Sequence, residues 1–150
     1  MLPAKLFAAL AVAFAVFAGF ARLYPLPSVD LGVHSTYFVL GPMLVTLFGM
    51  VTSANFAVLY YAVHRCLHAR WNRTLSLVHF FLFLFFAISV SLLFPLSTRA
   101  TNAGEPGAGI GWIFVPLLLA IFSFVTSVLV FAINLTATVV QLVRVRFASR

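Results

Sequence analysis

Long apolar runs separated by short polar segments dominate the pattern of this chain. Four runs contain no Lys, Arg, Asp or Glu, over residues 6–21, 36–63, 75–96 and 110–143. A helix needs about 20 such residues to cross the hydrocarbon core of a bilayer, whereas a barrel strand needs about 10 that alternate in polarity. Because a backbone in lipid must satisfy its own hydrogen bonds, these runs indicate helices. We therefore predict an all-α membrane protein with four transmembrane helices, over approximately 4–22, 36–63, 75–96 and 110–143.

The composition excludes a soluble globular domain. The chain is 64% hydrophobic and only 7% charged, with a mean hydropathy of +1.17, so too few polar groups exist to cover a water-exposed surface. No internal repeat or low-complexity segment divides the sequence. We predict that residues 1–150 form a single transmembrane domain.

Basic residues are distributed unevenly between the two ends of the predicted helices. Seven of the nine lie before the first helix, between the second and third, or after the fourth. These seven are Lys5, Arg65, Arg70, Arg73, Arg144, Arg146 and Arg150. Arg22 and Arg99 lie on the other side, together with both acids, Asp30 and Glu105. The positive-inside rule therefore predicts an N-in/C-in bundle with both termini in the cytoplasm, and we expect the bacterial cytoplasmic (inner) membrane as its location.

The net charge of +7 does not require a nucleic-acid partner. Basic residues at helix ends anchor a protein at an anionic membrane surface, and no basic stripe with interleaved aromatic residues is present. We expect the lipid bilayer, and no nucleic acid, as a partner.

Several local signals refine the helices. The first run follows Lys5 in the manner of a secretory signal, but we expect it to stay in place as a helix. Its small residues at four-residue spacing predict close approach of a neighbouring backbone. These small residues are Ala11, Ala15 and Gly19. Ser35 is an expected N-cap of the second helix, and the pair Gly41 and Pro42 predicts a kink near its outer end.

The lengths of the later segments predict their arrangement. The basic segment 64–74 is short, which makes the second and third helices antiparallel neighbours. The fourth run is too long for an upright span, so we expect a tilt or a protrusion on the inner side.

Residues around the start of the second run carry a family resemblance. The pattern D-x-x-x-H-D-T-Y-[FY]-V-V-A-H-F-H is typical of the tenth transmembrane helix of subunit I in heme-copper (cytochrome c) oxidases. The residues that match it without a gap are Asp30, His34, Thr36, Tyr37, Phe38 and Val39. Pro42 and Leu44 stand where that family has its two heme-ligating histidines, and Ser35 replaces an aspartate of its magnesium or manganese site.

The third run adds a second match. Asn72, Thr74, His79 and Phe80, followed by Phe94-Pro95, resemble the family pattern N-D-T-x-x-x-I-H-F with a closing F-F-P. The chain from residue 30 to about 143 thus resembles the last three transmembrane helices of that subunit, while the first helix has no counterpart. The resemblance implies an oxidase-derived membrane subunit that lacks the heme ligands.

Four histidines are the candidates for metal binding. His64 and His68 share a helix face at i and i+4 spacing, with Cys66 between them, and His79 begins the next helix on the same side. His34 lies in the predicted outer loop. No carboxylate lies near His64, His68 or His79 in the sequence to orient a ligating imidazole, whereas Asp30 could pair with His34. We assign no metal site, no cofactor and no catalytic residue.

The polar residues inside the predicted spans are neutral. They are Thr46, Thr52, Ser53, Asn55, Ser123, Thr126, Ser127 and Asn134. The absence of an ionisable group in mid-span argues against a proton relay or coupled transporter. We expect these residues to hold helices together, with Gly49 and Ser53, and Ser123 and Ser127, at the spacing of close packing.

These observations predict a non-catalytic accessory or structural subunit of a larger membrane complex, respiratory and oxidase-like, and not an enzyme by itself. Its partners would be other membrane subunits, with Asp30, His34 and Tyr37 as the expected contact. One alternative is a membrane protein that binds heme or metal through its histidines, which an absorption spectrum would reveal. The other is a small carrier or channel.

Overall fold

The structure is a computed structural model of the 150-residue chain that describes residues 1–23, 29–33, 36–67, 71–102 and 110–148. Its helices are α1 (Leu2–Leu23), α2 (Pro42–Cys66), α3 (Arg73–Asn102) and α4 (Ile110–Ala148). Each of the four contains a segment long and apolar enough to cross a bilayer, which confirms the four predicted helices. Two short strands, β1 (Val29–Val33) and β2 (Thr36–Leu40), precede α2.

The predicted start of the second helix at residue 36 is wrong. Residues 36–40 pair antiparallel with β1, from Val29 opposite Leu40 to Val33 opposite Thr36. Two physical causes act together. The segment Thr-Tyr-Phe-Val-Leu is rich in β-branched and aromatic residues, which favour a strand, and a proline disfavours the helical conformation in the residue before it.

The pair Gly41 and Pro42 therefore begins α2 instead of kinking it. Gly41 is extended, with φ −79° and ψ 142°, and Pro42 occupies the first turn, where the missing N–H costs no hydrogen bond. Ser35, the expected N-cap, lies outside the described residues.

The later helices are longer than predicted. α3 continues past residue 96 to Asn102, and its start is capped by Asn72, whose Oδ1 accepts the N–H groups of Thr74 (3.0 Å) and Leu75 (3.2 Å). α4 has 39 residues, so at a rise of about 1.5 Å per residue it is roughly 58 Å long, against about 30 Å of hydrocarbon.

The helices pack as two pairs. α1 lies along α2 and α3 lies along α4, while α1 and α2 contact α3 less closely. Large aromatic side chains fill the space between the pairs, so α2 and α3 are neighbours chiefly through their rings. Phe56 of α2, for example, lies 5.7 Å from Phe83 of α3 between ring centroids.

The buried positions of α2 repeat at alternating intervals of four and three residues. They are Pro42, Thr46, Gly49, Ser53, Phe56 and Tyr60. Such a repeat keeps one face turned to its neighbours in left-handed helix packing. On α4 the same spacing relates Ala120, Ser123 and Ser127, and then Asn134 and Thr138. Small and polar residues thus occupy much of the interior and large aliphatic ones the outside, as expected where lipid tails solvate apolar surface.

Gly49 permits a close approach of α1 to α2. A Cβ atom at position 49 would lie 2.5 Å from Cζ of Phe14, whose ring covers this glycine. The predicted close approach is wrong at Gly19, where the described structure has nothing within 4 Å of a built Cβ, while Ala15 is exposed and Ala11 is half-buried. α1 instead buries Phe7 and Phe14, which lie two turns apart on another face.

We expect Gly49→Ala to destabilise the protein more than Gly19→Ala does. Both substitutions replace a helical glycine and give a similar gain in helix propensity, up to about 1 kcal/mol. Only the first drives a methyl group into the Phe14 ring, and such overpacking costs roughly 1–3 kcal/mol. The measurement is the free energy of unfolding in mixed detergent micelles, followed by circular dichroism. Equal values for the two variants would contradict the packing described here.

Candidate functional site

Four polar side chains from three helices meet in the interior and form what we call the polar cluster: Tyr60, Ser76, His79 and Asn134. Tyr60 is 2% exposed and the other three are fully buried. A hydrogen bond of 3.0 Å joins Oη of Tyr60 to Nδ1 of His79, and the Tyr60 hydroxyl also lies beside Ser76 and Asn134. Nδ2 of Asn134 donates to Oγ of Ser76 at 2.9 Å. The polar cluster therefore ties α2 and α4 to α3.

Aromatic rings enclose the imidazole of His79. Its centroid lies 4.8 Å from that of Phe7 on α1, 4.4 Å from Phe56 on α2 and 5.2 Å from Phe131 on α4. The Phe56 ring is nearly perpendicular to the imidazole, at 85°, an edge-to-face geometry that aromatic pairs favour. One side chain of α3 thus touches all three other helices.

Further hydrogen bonds extend the polar cluster toward the helix ends. Oγ of Ser76 donates to the carbonyl of Asn72 at 2.8 Å, and Oγ of Ser127 donates to the carbonyl of His79 at 3.2 Å. Nε1 of Trp71 donates to the carbonyl of Tyr60 at 3.2 Å, and the two rings lie 4.5 Å apart. The segment between α2 and α3 is therefore held against the same site.

Two atoms of the polar cluster have no hydrogen-bond partner in the described structure. They are Nε2 of His79 and Oδ1 of Asn134, and both are buried. Leaving such an atom unpaired costs about 1–3 kcal/mol, so the cluster has unused hydrogen-bonding capacity. Its side chains can donate and accept hydrogen bonds, and an imidazole can also take up a proton.

The candidate metal ligands differ in burial and in hydrogen bonding. His79 is buried with one nitrogen bound to Tyr60, His64 is half-buried and Cys66 is exposed. Among the described residues no group of three or more His, Cys, Asp or Glu could hold a metal ion. His34 and His68 lie outside the described residues, so a metal site that includes them stays a hypothesis.

Two residues of the expected partner contact, Asp30 and Tyr37, lie in the antiparallel pair of β1 and β2, which we call the hairpin. The backbone of Asp30 pairs with Val39, and that of Tyr37 pairs with Gly32, so positions 30 and 37 lie two rungs apart on one ladder. Their side chains lie outside the described part of the structure.

Seven of the eight polar residues predicted to hold helices together divide into three groups, and the eighth, Thr52, is half-buried. Ser127 and Asn134 do so, through the bonds to α3 given above. Thr46, Ser53 and Ser123 are buried at helix contacts, but their hydroxyls donate to carbonyls of their own helices. For Asn55 and Thr126 the prediction is wrong within the chain, because both are exposed.

The sequence reasoning missed Tyr60, Ser76 and Trp71. A signal for two of them is present, since Tyr60 continues the alternating repeat of Ser53 and Phe56, and Ser76 precedes His79 by three residues. Trp71 lies outside both helices and follows no such repeat.

A cavity adjoins the polar cluster at the end of the bundle where α2 ends and α3 begins. Its volume is about 570 Å³, and its wall includes Tyr60, His64, Trp71, Arg73 and Ser76. The first turn of α1 closes its other side. Tyr60 and Ser76 thus belong to both the cluster and the cavity wall.

We expect Tyr60→Phe to lower the free energy of unfolding by about 1 kcal/mol, because the substitution leaves Nδ1 of His79 unpaired. Tyr61→Phe is the matched control, since this neighbouring hydroxyl belongs to a side chain that is 51% exposed. Unfolding in mixed micelles measures both. A loss no larger for position 60 than for position 61 would show that the buried bond does not stabilise the bundle.

Comparison of the chain with protein-family models, with curated proteins and with solved structures finds no match. The resemblance to heme-copper oxidases therefore stays a hypothesis supported by the quoted residues.

Proposed function

We propose that this chain is a non-catalytic structural subunit of a larger membrane complex, and that the complex is of the respiratory oxidase kind. The observation that carries the proposal is a polar side chain on the outer face of α2. Asn55 lies one residue from the midpoint of this helix and is exposed. Its neighbours on that face, Val51, Val58 and Leu59, are exposed apolar residues.

A carboxamide in this position needs a partner. Asn55 forms no hydrogen bond with any described part of the chain, and in a bilayer its exposed face would meet hydrocarbon. An amide without a hydrogen bond in an apolar medium costs roughly 2–7 kcal/mol, and asparagine in membrane helices bonds across to neighbouring helices. A helix of another subunit seated against α2 would satisfy it.

Two further features support a structural role. Neither Pro42 nor Leu44 has a side-chain donor atom, so the positions that correspond to the family's heme ligands cannot coordinate iron. The polar cluster, by contrast, links helices through bonds that a structural subunit requires.

The hairpin is the second proposed contact. Asp30, His34 and Tyr37 lie in or beside the two strands that lead into α2, at the opposite end of that helix from Cys66. A short strand pair with an acidic residue offers hydrogen-bonding groups to a neighbouring subunit at the membrane surface.

We expect Asn55→Val to reduce the amount of partner protein that co-purifies after mild detergent extraction, with membrane insertion unchanged. Thr136→Val is the matched control: Thr136 is also exposed on a spanning helix, but its hydroxyl already donates to Ala132 of its own helix at 2.9 Å. The double variant Asp30→Ala with His34→Ala tests the hairpin in the same assay. Quantitative mass spectrometry of the purified material is the measurement. If the wild-type chain purifies as a lone monomer and the variants behave alike, the subunit proposal fails and the carrier alternative gains weight.

We propose further that the chain lies in the bacterial cytoplasmic (inner) membrane with both termini in the cytoplasm, because seven of nine basic residues fall on that side. The single cysteine makes this testable. Cys66 is exposed at the end of α2, so an impermeant maleimide should label it only after the cells are opened. In a Cys66→Ser background, Glu105→Cys should be labelled in intact cells. Labelling of Cys66 from outside would reverse the orientation.

A further inference from the structure

We propose that the cavity of about 570 Å³ binds the phosphate group of an anionic membrane lipid, with Arg73 as its charge partner. This inference goes beyond the proposed function and does not depend on it. It combines the location of the cavity, the charge at its edge and the make-up of its wall.

The cavity lies at the level where a spanning bundle meets lipid headgroups. Its wall contains the first turn of α1, the end of α2 with Tyr60 and His64, and the start of α3 with Arg73. The apolar segments of all three helices begin or end within a few residues of it. A tryptophan on the wall, Trp71, is typical of this interfacial layer.

Arg73 is an exposed cation, and a whole helix separates it in the chain from each of the two acidic residues. The chain has two acids: Asp30 precedes the start of α2, and Glu105 follows the end of α3. α3 has 30 residues and is thus about 45 Å long, so Glu105 follows the helix end remote from Arg73.

The first residue of α3 is also an unfavourable place for a lone cation. The positive end of the helix dipole repels Arg73 there and favours an anion instead. A phosphate beside Arg73 would pair with the guanidinium in a bidentate manner and would be favoured by the helix dipole, while Asn72 keeps the N–H groups of Thr74 and Leu75.

The wall favours a lipid over a soluble phosphate. Leu2, Pro3 and Ala4 supply apolar surface on the same cavity wall as Arg73, so a ligand with a charged head and a hydrocarbon body finds both kinds of contact. The exposed guanidinium provides charge, and the apolar turn provides contact for the first acyl carbons.

The test uses Trp71 as a reporter. The chain has two tryptophans, so Trp112→Phe leaves Trp71, on the cavity wall, as the only source of tryptophan fluorescence. Phosphatidylglycerol with brominated acyl chains is titrated into the detergent-purified protein, and quenching of Trp71 fluorescence is followed. We expect saturable quenching that is stronger than that by brominated phosphatidylcholine.

Two arginine variants distinguish binding at the cavity from a general attraction of anionic lipid to positive charge. Arg73→Gln should weaken phosphatidylglycerol binding roughly tenfold, the loss expected for one charge-assisted contact. Arg65→Gln is the matched control, because Arg65 is exposed nearby and carries the same charge but does not line the cavity. Helix content of each variant, measured by circular dichroism, confirms that folding is intact.

Inorganic phosphate distinguishes the two sources of the ligand. If millimolar phosphate fails to displace the lipid, the acyl chains contribute and the lipid proposal stands. If phosphate competes as well as a soluble phosphatidylglycerol headgroup does and the lipid shows no advantage, the site is one for soluble phosphate. Equal quenching by the two lipids, or equal loss with Arg65→Gln and Arg73→Gln, would overturn the proposal.

Discussion

The enclosure of His79 is the constraint on which the rest of the bundle depends. An imidazole has two polar nitrogens, and burying it away from water is costly unless at least one is hydrogen-bonded. Tyr60 meets this need from α2, while Phe7, Phe56 and Phe131 fill the space around the ring from the other three helices. Phe83 of α3 also contacts rings of α1, α2 and α4, so His79 and Phe83 together fix how the two helix pairs face each other.

The two pairs have different kinds of contact. Within the pair of α1 and α2, a glycine beneath a phenylalanine ring allows close approach, and within the pair of α3 and α4 a row of serine, asparagine and alanine does the same. Between the pairs, large rings span the gap. This arrangement leaves many leucine, valine and phenylalanine side chains on the outside, where lipid or another subunit covers them. An exposed asparagine among them is therefore informative, because lipid can satisfy leucine but not a carboxamide.

The two ends of the bundle differ in chemistry, and this difference links the structure to the proposed roles. Among the described residues, one end carries the hairpin, and the other carries the cavity, Trp71, Arg65 and Arg73. A protein contact at the first end and a lipid contact at the second are compatible, because they use separate surfaces. The polar cluster lies beside the cavity and shares Tyr60 and Ser76 with it.

The number and identity of the spanning helices followed from the sequence alone, because the cost of placing a charge in hydrocarbon is a local property of each segment. The start of α2 did not, although Pro42 marked it: an apolar segment of five residues satisfies the hydropathy pattern equally well as helix or strand, and the family pattern favoured helix. Only the tertiary structure decided which polar residues face inward. Asn134 and Ser76 are 58 residues apart and Tyr60 and His79 are 19 apart, so their pairing depends on how separate helices dock. Asn55 shows the same limit from the other side: its polarity grouped it with the buried residues, but it lies off their repeat and faces outward.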